Sequence, residues 1–201
     1  VVGGGPTGVE LAGAFAEIKR DILPKDFFRI DFSKMNIILL EGSPNTLNNM
    51  SQMSRNASAE YLRSLGVIIK TGVIVTDYDG TTLKMNNGDT IQSRHVIWAA
   101  GVTGNIIKGM DPDIITPSNR LKVDRYNRVL GYKNIFAIGD IAYMETEAYP
   151  KGHPQVANVA INQGKLLSGN LDQLQANKPM KPYEYKDLGA MATIGRHKAV
   201  V

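Results

Sequence analysis

The run Val1-Val2-Gly3-Gly4-Gly5-Pro6-Thr7-Gly8-Val9-Glu10 sets Gly3, Gly5 and Gly8 at G-x-G-x-x-G spacing, between a β-type pair and an apolar helical pattern. Each glycine has a physical reason in a strand-to-helix turn that takes a dinucleotide. The first permits the bend, the second lets a pyrophosphate approach the backbone, and the third lets the helix close on the strand. The helix that follows offers free N–H groups and the positive end of its dipole to the phosphates. Gly3, Gly4, Gly5, Pro6, Thr7 and Gly8 are therefore the candidate phosphate-binding residues. A turn of this kind requires parallel strands with helices between them, which sets the fold class as α/β with a Rossmann-like, doubly wound parallel sheet. Only Val1 and Val2 precede the turn, so the chain reads as one cut from something longer inside its first core strand.

Residues 7–21 carry an apolar face of Val9, Leu11, Ala12, Phe15, Ala16 and Ile18 and predict a helix. Leu23-Pro24 should end it, because proline disfavours helix in the residue before it. Residues 25–34 mix aromatic and charged side chains and read as a helical extension or an ordered loop. Residues 36–41 are a short apolar run closing on Glu41 and followed by Gly42-Ser43-Pro44, the pattern of a buried parallel strand. Residues 51–65 predict a second helix stopped at Gly66, and residues 67–70 a third parallel strand.

The rhythm then changes. Residues 73–78, 81–85 and 90–97 are β-type runs separated by Asp79-Gly80 and Asn87-Gly88-Asp89, which predicts an antiparallel insertion capping the sheet. Residues 96–101 should close this module with a buried strand and a small-residue turn at Ala100-Gly101. Residues 111–117 read as a linker. Beyond it, residues 121–124 and 134–140 are strand-like, residues 155–175 form a strong helix broken by Lys178-Pro179, and residues 191–195 form a last β-type segment.

Composition narrows the function classes. With 201 residues, 43% apolar and 21% charged, the chain can bury a core of ordinary size. Its net charge of +4 is scattered rather than striped, which argues against nucleic acid as a partner. No cysteine is present, so disulfides, thiolate metal sites and a CxxC redox centre are excluded from these residues. His95, His153 and His197 are too dispersed to suggest a metal site, and none is assigned.

Two residues add chemistry to the glycine turn. Glu41 ends a strand where a carboxylate can accept hydrogen bonds from both adenosine ribose hydroxyls and repel a 2′-phosphate, favouring NADH over NADPH. Its distance from Gly8 exceeds the usual interval of about 20 residues, an excess that the insertion at 25–34 accounts for. The alternative is a plain surface acid at a strand end. The second is Asp140, in Asn134-Ile135-Phe136-Ala137-Ile138-Gly139-Asp140. A buried strand ending in Gly139-Asp140 resembles the second flavin motif of flavoproteins with two dinucleotide-binding domains, in which the aspartate accepts a hydrogen bond from the ribityl chain of FAD.

With these pieces in order, the chain resembles the type II NADH:quinone oxidoreductases, single-subunit FAD enzymes bound to one membrane face. The matching segments are residues 3–10, Glu41, residues 98–101, 136–140, 153–164 and 187–196. The resemblance implies an internal fragment: an NAD(H)-binding domain over 1–114, the C-terminal part of an FAD-binding domain over 115–182, and the start of a membrane-anchor domain over 183–201. It implies hydride transfer from NADH to FAD and electron delivery to a membrane quinone without proton pumping. It also implies peripheral attachment through a further C-terminal segment, at the cytoplasmic side of the inner membrane, and leaves room for a homodimer. The fragment alone is expected to bind NADH weakly, to lack tightly held FAD and to be inactive.

The resemblance also assigns roles to particular residues. Residues 153–164 resemble the family's quinone-site helix, with Asn158 and Asn162 where glutamines are usual, and with Val156 and Ala157 at the helix start near the flavin. Glu10 matches an acid near the nicotinamide; complementarity to the helix dipole is the alternative. Ala100 and Gly101 match the turn that lets nicotinamide lie close to the flavin. Leu188 stands where relatives often carry a basic residue, and Tyr183 and Tyr185 read as alternating β residues. A soluble ferredoxin or disulfide reductase and a non-catalytic NAD-binding module are the remaining alternatives.

Overall fold

The computed structural model describes residues 1–105 and 107–201. The chain divides into two compact units, one of Val1–Gly101 with Leu188–Val201 and the other of Val102–Asp187. These limits differ from the expected domain limits at two places. The break falls at 101/102 rather than 114/115, and the last residues join the first unit.

In the first unit, α1 (Pro6–Glu17) starts directly on the glycine turn, with Gly5 as N-cap and Pro6 in the first turn. Pro is suited to that place because its missing N–H would have had no helical partner. The helix does not stop before Pro24. It widens into a π segment over Ile18–Ile22 and continues as α2 (Leu23–Asp26). Leu23 keeps α geometry because Pro24 stands in the first turn of a new short helix, where its ring and absent donor cost little.

The strand β1 (Ile38–Glu41), the helix α3 (Gln52–Ser64) and the strand β2 (Ile68–Thr71) follow. Ser51 caps α3 by accepting from the Ser54 N–H. The strands pair in parallel from Ile38↔Ile68 to Glu41↔Thr71, and Val2 bridges in parallel to Leu40 on one side and Trp98 on the other. The sheet order is thus Trp98, Val2, β1, β2. The strand expected over 96–101 is reduced to that single bridge, and Trp98 is 60% exposed. Val2 is its sole ladder partner among the described residues, so there is little backbone for a longer strand to pair with.

β3 (Val75–Tyr78), β4 (Thr82–Met85) and β5 (Thr90–Gln92) form the antiparallel insertion. The period-two alternation of β1 explains how both layers hold on to the parallel sheet. Leu39 belongs to the core shared with Val9, Ala12, Ala16 and Leu62 of the two helices, whereas Leu40 packs with Val2, Leu83 and Met85.

In the second unit, β6 (Leu121–Lys122) pairs in parallel with β7 (Ala142–Tyr143), and α4 (Ala157–Gln175) packs through Val159 into their core. Residues 111–117 are not a linker: Asp111 caps a 3₁₀ turn over Pro112–Ile114, and Ile114 is a core member. The strand expected over 134–140 is an extended segment with one bridge, Arg128↔Phe136, ending in a 3₁₀ turn at Gly139–Ile141. Its backbone pairs with the turn before it, through Val129 N–H to Ile135 O and Ala137 N–H to Asn127 O, rather than with a second strand. α4 ends at Gln175 as expected, and Asn177 takes the left-handed conformation that ends helices. Tyr183 and Tyr185 lie outside any strand; Tyr183 is instead tied by its N–H to the Arg125 carbonyl.

The last two strands, β8 (Ala192–Ile194) and β9 (Lys198–Val200), form a hairpin. Ala192, Ile194 and Val200 are buried in the same core as α1 and α3. This segment, expected to open a separate anchor domain, is part of the first unit because its alternate apolar side chains complete that unit's helical layer.

Candidate nucleotide-binding sites

The glycine turn of the first unit is forced by close approach. Gly3 has φ +108°, and a Cβ there would come within 2.8 Å of the Ala99–Ala100 backbone. At Gly8 a Cβ would meet the Gly3 carbonyl oxygen at 1.8 Å, a clash no side-chain motion relieves. Gly5 differs: its backbone is ordinary, and a Cβ would meet nothing described within 4 Å. Open space therefore lies in front of the middle glycine. No side chain caps α1, which leaves its first amides directed to that space.

Glu41 is fixed beside the turn. One carboxylate oxygen accepts from the Gly4 N–H at 2.5 Å and the other from the Ser43 N–H at 2.6 Å. Gly4 is required here as well, because a Cβ would lie 2.9 Å from the Glu41 side chain. A carboxylate has about four acceptor directions, so two backbone bonds orient Glu41 and leave acceptors for hydroxyl donors. Ala100 is half-buried and Gly101 is exposed with φ +69°. The Ala99–Ala100 backbone lies against Gly3, while nothing described lies within 4 Å of a Cβ at Gly101.

Glu10 is the fifth residue of α1, beyond its first turn, so its charge is poorly placed to complement the dipole. Its Oε1 accepts from both the N–H and the hydroxyl of Thr193, at 3.1 and 3.3 Å. Glu17, two turns on, accepts from the Arg196 N–H. The two acids clasp the β8–β9 hairpin to α1.

In the second unit, Gly139 has φ +67°, and a Cβ there would press on Ala160 at 3.1 Å. Its buried N–H donates to Gln163 Oε1 at 2.7 Å. Gln163 is 1% exposed and holds the turn against α4; the sequence pattern singled out Asn158 and Asn162 and passed over it. Asp140 is exposed, and its backbone carbonyl accepts from Gln155 Nε2 at 3.1 Å. Val156 is the N-cap of α4, again with no side-chain cap, so Ala157 begins a helix with open amides. Asn162 is exposed, whereas Asn158 is half-buried with its Oδ1 shielded and unpaired.

Behind this helix start, buried Arg120 donates to Ala142 O at 2.5 Å and His153 O at 3.0 Å. Its burial lowers the guanidinium's pKa from the usual value. His153 sits edge-on to Tyr149 and Tyr183, at ring distances of 5.2 and 5.5 Å. Burial first, then Arg125 and Arg120, hold its imidazole below the ordinary 6.5. Among the described residues no group of three or more His, Asp or Glu is placed to hold a metal ion, and no helix is long and apolar enough to cross a membrane.

The residues present suit two nucleotides. An open-faced glycine turn beside an oriented carboxylate fits an NAD(H) pyrophosphate and ribose. An exposed aspartate after a tight glycine, next to an uncapped helix, fits part of an FAD site.

Comparison with known proteins agrees with this arrangement. The chain is 37% identical over its whole length to the type II NADH:quinone oxidoreductase Ndh of Mycobacterium tuberculosis, of which it covers 44%. It is 30% identical to the internal alternative NAD(P)H-ubiquinone oxidoreductase A1, mitochondrial, of Arabidopsis thaliana, covering 41% of that protein. The chain thus spans somewhat under half the length of these curated relatives. Its fold matches that of Plasmodium falciparum NDH2 in complex with NADH, with a TM-score of 0.83 at 21% identity, over 98% of this chain and 56% of the other. A ferredoxin reductase from Rhodopseudomonas palustris matches with a TM-score of 0.67 at 18% identity, over 91% of this chain and 42% of that one. The glycine turn, the Gly139-Asp140 turn and the start of α4 all lie within residues 1–164, which match the family model described as pyridine nucleotide-disulphide oxidoreductase. The chain belongs to that family.

Proposed function

We propose that this chain serves a type II NADH:quinone oxidoreductase, with the first unit holding NADH and the second contributing to the FAD and quinone sites. The observation that carries the reading is Glu41, oriented by two backbone N–H groups beside a turn whose middle glycine faces open space. A carboxylate so placed accepts the adenosine ribose hydroxyls and repels a 2′-phosphate, while the amides of Gly5 and Thr7 meet the pyrophosphate. Ala100 and Gly101 leave room for the nicotinamide ring.

In the second unit Gly139 brings the backbone close, Asp140 accepts from the ribityl chain, and the α4 start at Val156 and Ala157 faces the flavin ring with N–H donors. FAD held by Gly139, Asp140 and the start of α4 would supply the redox chemistry that links NADH to quinone. Asn158 and Asn162 offer amides to a quinone carbonyl, on stems one methylene shorter than glutamine. Glu10 acts by fixing the hairpin on α1, so its effect on catalysis runs through position. Peripheral attachment to the cytoplasmic face of the inner membrane, and a homodimer, complete the reading.

NADH and NADPH titrations of the chain, followed by nicotinamide fluorescence, test it. NADH should bind more tightly, and Glu41→Arg should weaken NADH about tenfold and narrow the gap to NADPH. Unchanged affinities for both would refute the ribose assignment.

A further inference from the structure

A cavity of the first unit lies away from the glycine turn. It is a pocket of about 350 Å³ between α3, the edge strand β2 and the loop after Glu41. Arg55 and Arg63 line it, two helical turns apart, with Ala59 between them leaving the floor open. Neither arginine has a carboxylate within ion-pair distance among the described residues. Arg55 rests on neutral amide oxygens, Gln52 Oε1 at 2.9 Å and Asn48 Oδ1 at 3.4 Å, and its Nε is buried and unpaired. Thr46 lines the same pocket at 2% exposure, and its hydroxyl is likewise buried without a partner. A buried hydroxyl and a buried guanidinium N–H left without partners in a polar cavity are donors awaiting an acceptor. Among the described residues Glu60 is the one acid on the wall.

We infer that this pocket binds a phosphorylated metabolite of mononucleotide size. Its phosphoryl oxygens take the forked donors of Arg55 and Arg63 and the Thr46 hydroxyl. Its hydroxyl or amino donors go to Glu60, which would only repel a bare phosphate. A volume of about 350 Å³ suits a ligand of this class and exceeds what an inorganic ion needs. The inference stands apart from the NADH reading, since neither the turn glycines nor Glu41 line the pocket.

Calorimetric titration with AMP, inorganic phosphate and adenosine tests it, with NADH binding measured on every variant. Gly5→Glu places a carboxylate in front of the turn without a steric conflict, so it removes nucleotide binding there and leaves the pocket intact. AMP should bind Gly5→Glu, more tightly than phosphate or adenosine. It should lose at least tenfold in a Gly5→Glu background carrying Arg55→Gln and Arg63→Gln, and severalfold with exposed Arg63→Gln alone. Glu60→Gln should weaken AMP and strengthen phosphate. AMP affinity unchanged by the arginine substitutions, adenosine binding as tightly as AMP, or phosphate matching AMP would each overturn the inference. Gly5→Glu that keeps NADH affinity would instead sink the turn reading, while the arginine results still judge the pocket.

Discussion

The two glycine turns are built by opposite means. In the first unit the turn is set by backbone meeting backbone, Gly8 against the Gly3 carbonyl and Gly3 against residues 99 and 100. In the second, the Gly139 turn is held by a buried neutral side chain, Gln163. The units as wholes follow the same division. Among the described residues, the buried polar residues of the first are Thr46, Ser54 and Ser58; those of the second are Thr116, Arg120, Asn127, His153, Gln163 and Asn170. One unit closes around apolar layers, and the other ties loops together with buried hydrogen bonds. A backbone-built turn tolerates no side chain at its contact points, while a side-chain-built turn fails when its single anchor is removed.

Gly8→Ala should break this comparison most strongly. Its Cβ cannot be accommodated without separating α1 from the turn, at a cost of about 3 kcal/mol. Amide hydrogen exchange should show α3 losing protection while α4 keeps it; equal loss in both would mean the units do not fail separately. Gln163→Leu keeps the volume but strands the buried Gly139 N–H, costing roughly 1–3 kcal/mol. The loss should appear in α4 and the 139–141 turn and leave α1 unchanged in the same exchange experiment.

The smallest effect concerns pH. His153 has its folded pKa depressed below 6.5 by burial and by Arg125 and Arg120. The unfolded chain therefore binds the proton first, so this contribution is full above 6.5 and declines as pH falls toward the folded value. Denaturant midpoints should drop below pH 6.5 in the second unit, and His153→Leu should flatten that slope. An equal slope in the variant would assign the effect elsewhere.

Elements with a strong period or a cap were legible in the sequence. The apolar run closing on Glu41, the Ser51-capped helix and the hairpin turns at Asp79-Gly80 and Asn87-Gly88 all stand where local chemistry puts them. What stayed hidden depended on distant partners. Asp111-Pro112 has loop composition, and only the packing of Ile114 with Leu121 and Val129 makes it core. A glutamine in a helix gives no sign that its acceptor serves a glycine 24 residues earlier. Pro24 reads as a terminator because the π segment that lets the chain restart has no local signature. The pocket beside β2 was equally invisible, since Arg55 and Arg63 look like an ordinary solvated helix face until Thr46 is brought beneath them.

The clasp of Glu10 and Glu17 on the terminal hairpin also bears on how the molecule is made. Thr193 reaches Glu10 across 183 residues, and three of the eleven buried members of the main core, Ala192, Ile194 and Val200, come from the last strands. The layer begun by the first helix thus stays open on the ribosome until the second unit has been synthesised. The inserted unit, continuous in sequence, can finish first. Emergence of residues 188–201 then becomes the event that seals the nucleotide-binding half, placing a slow, long-range step of folding after synthesis of the inserted unit.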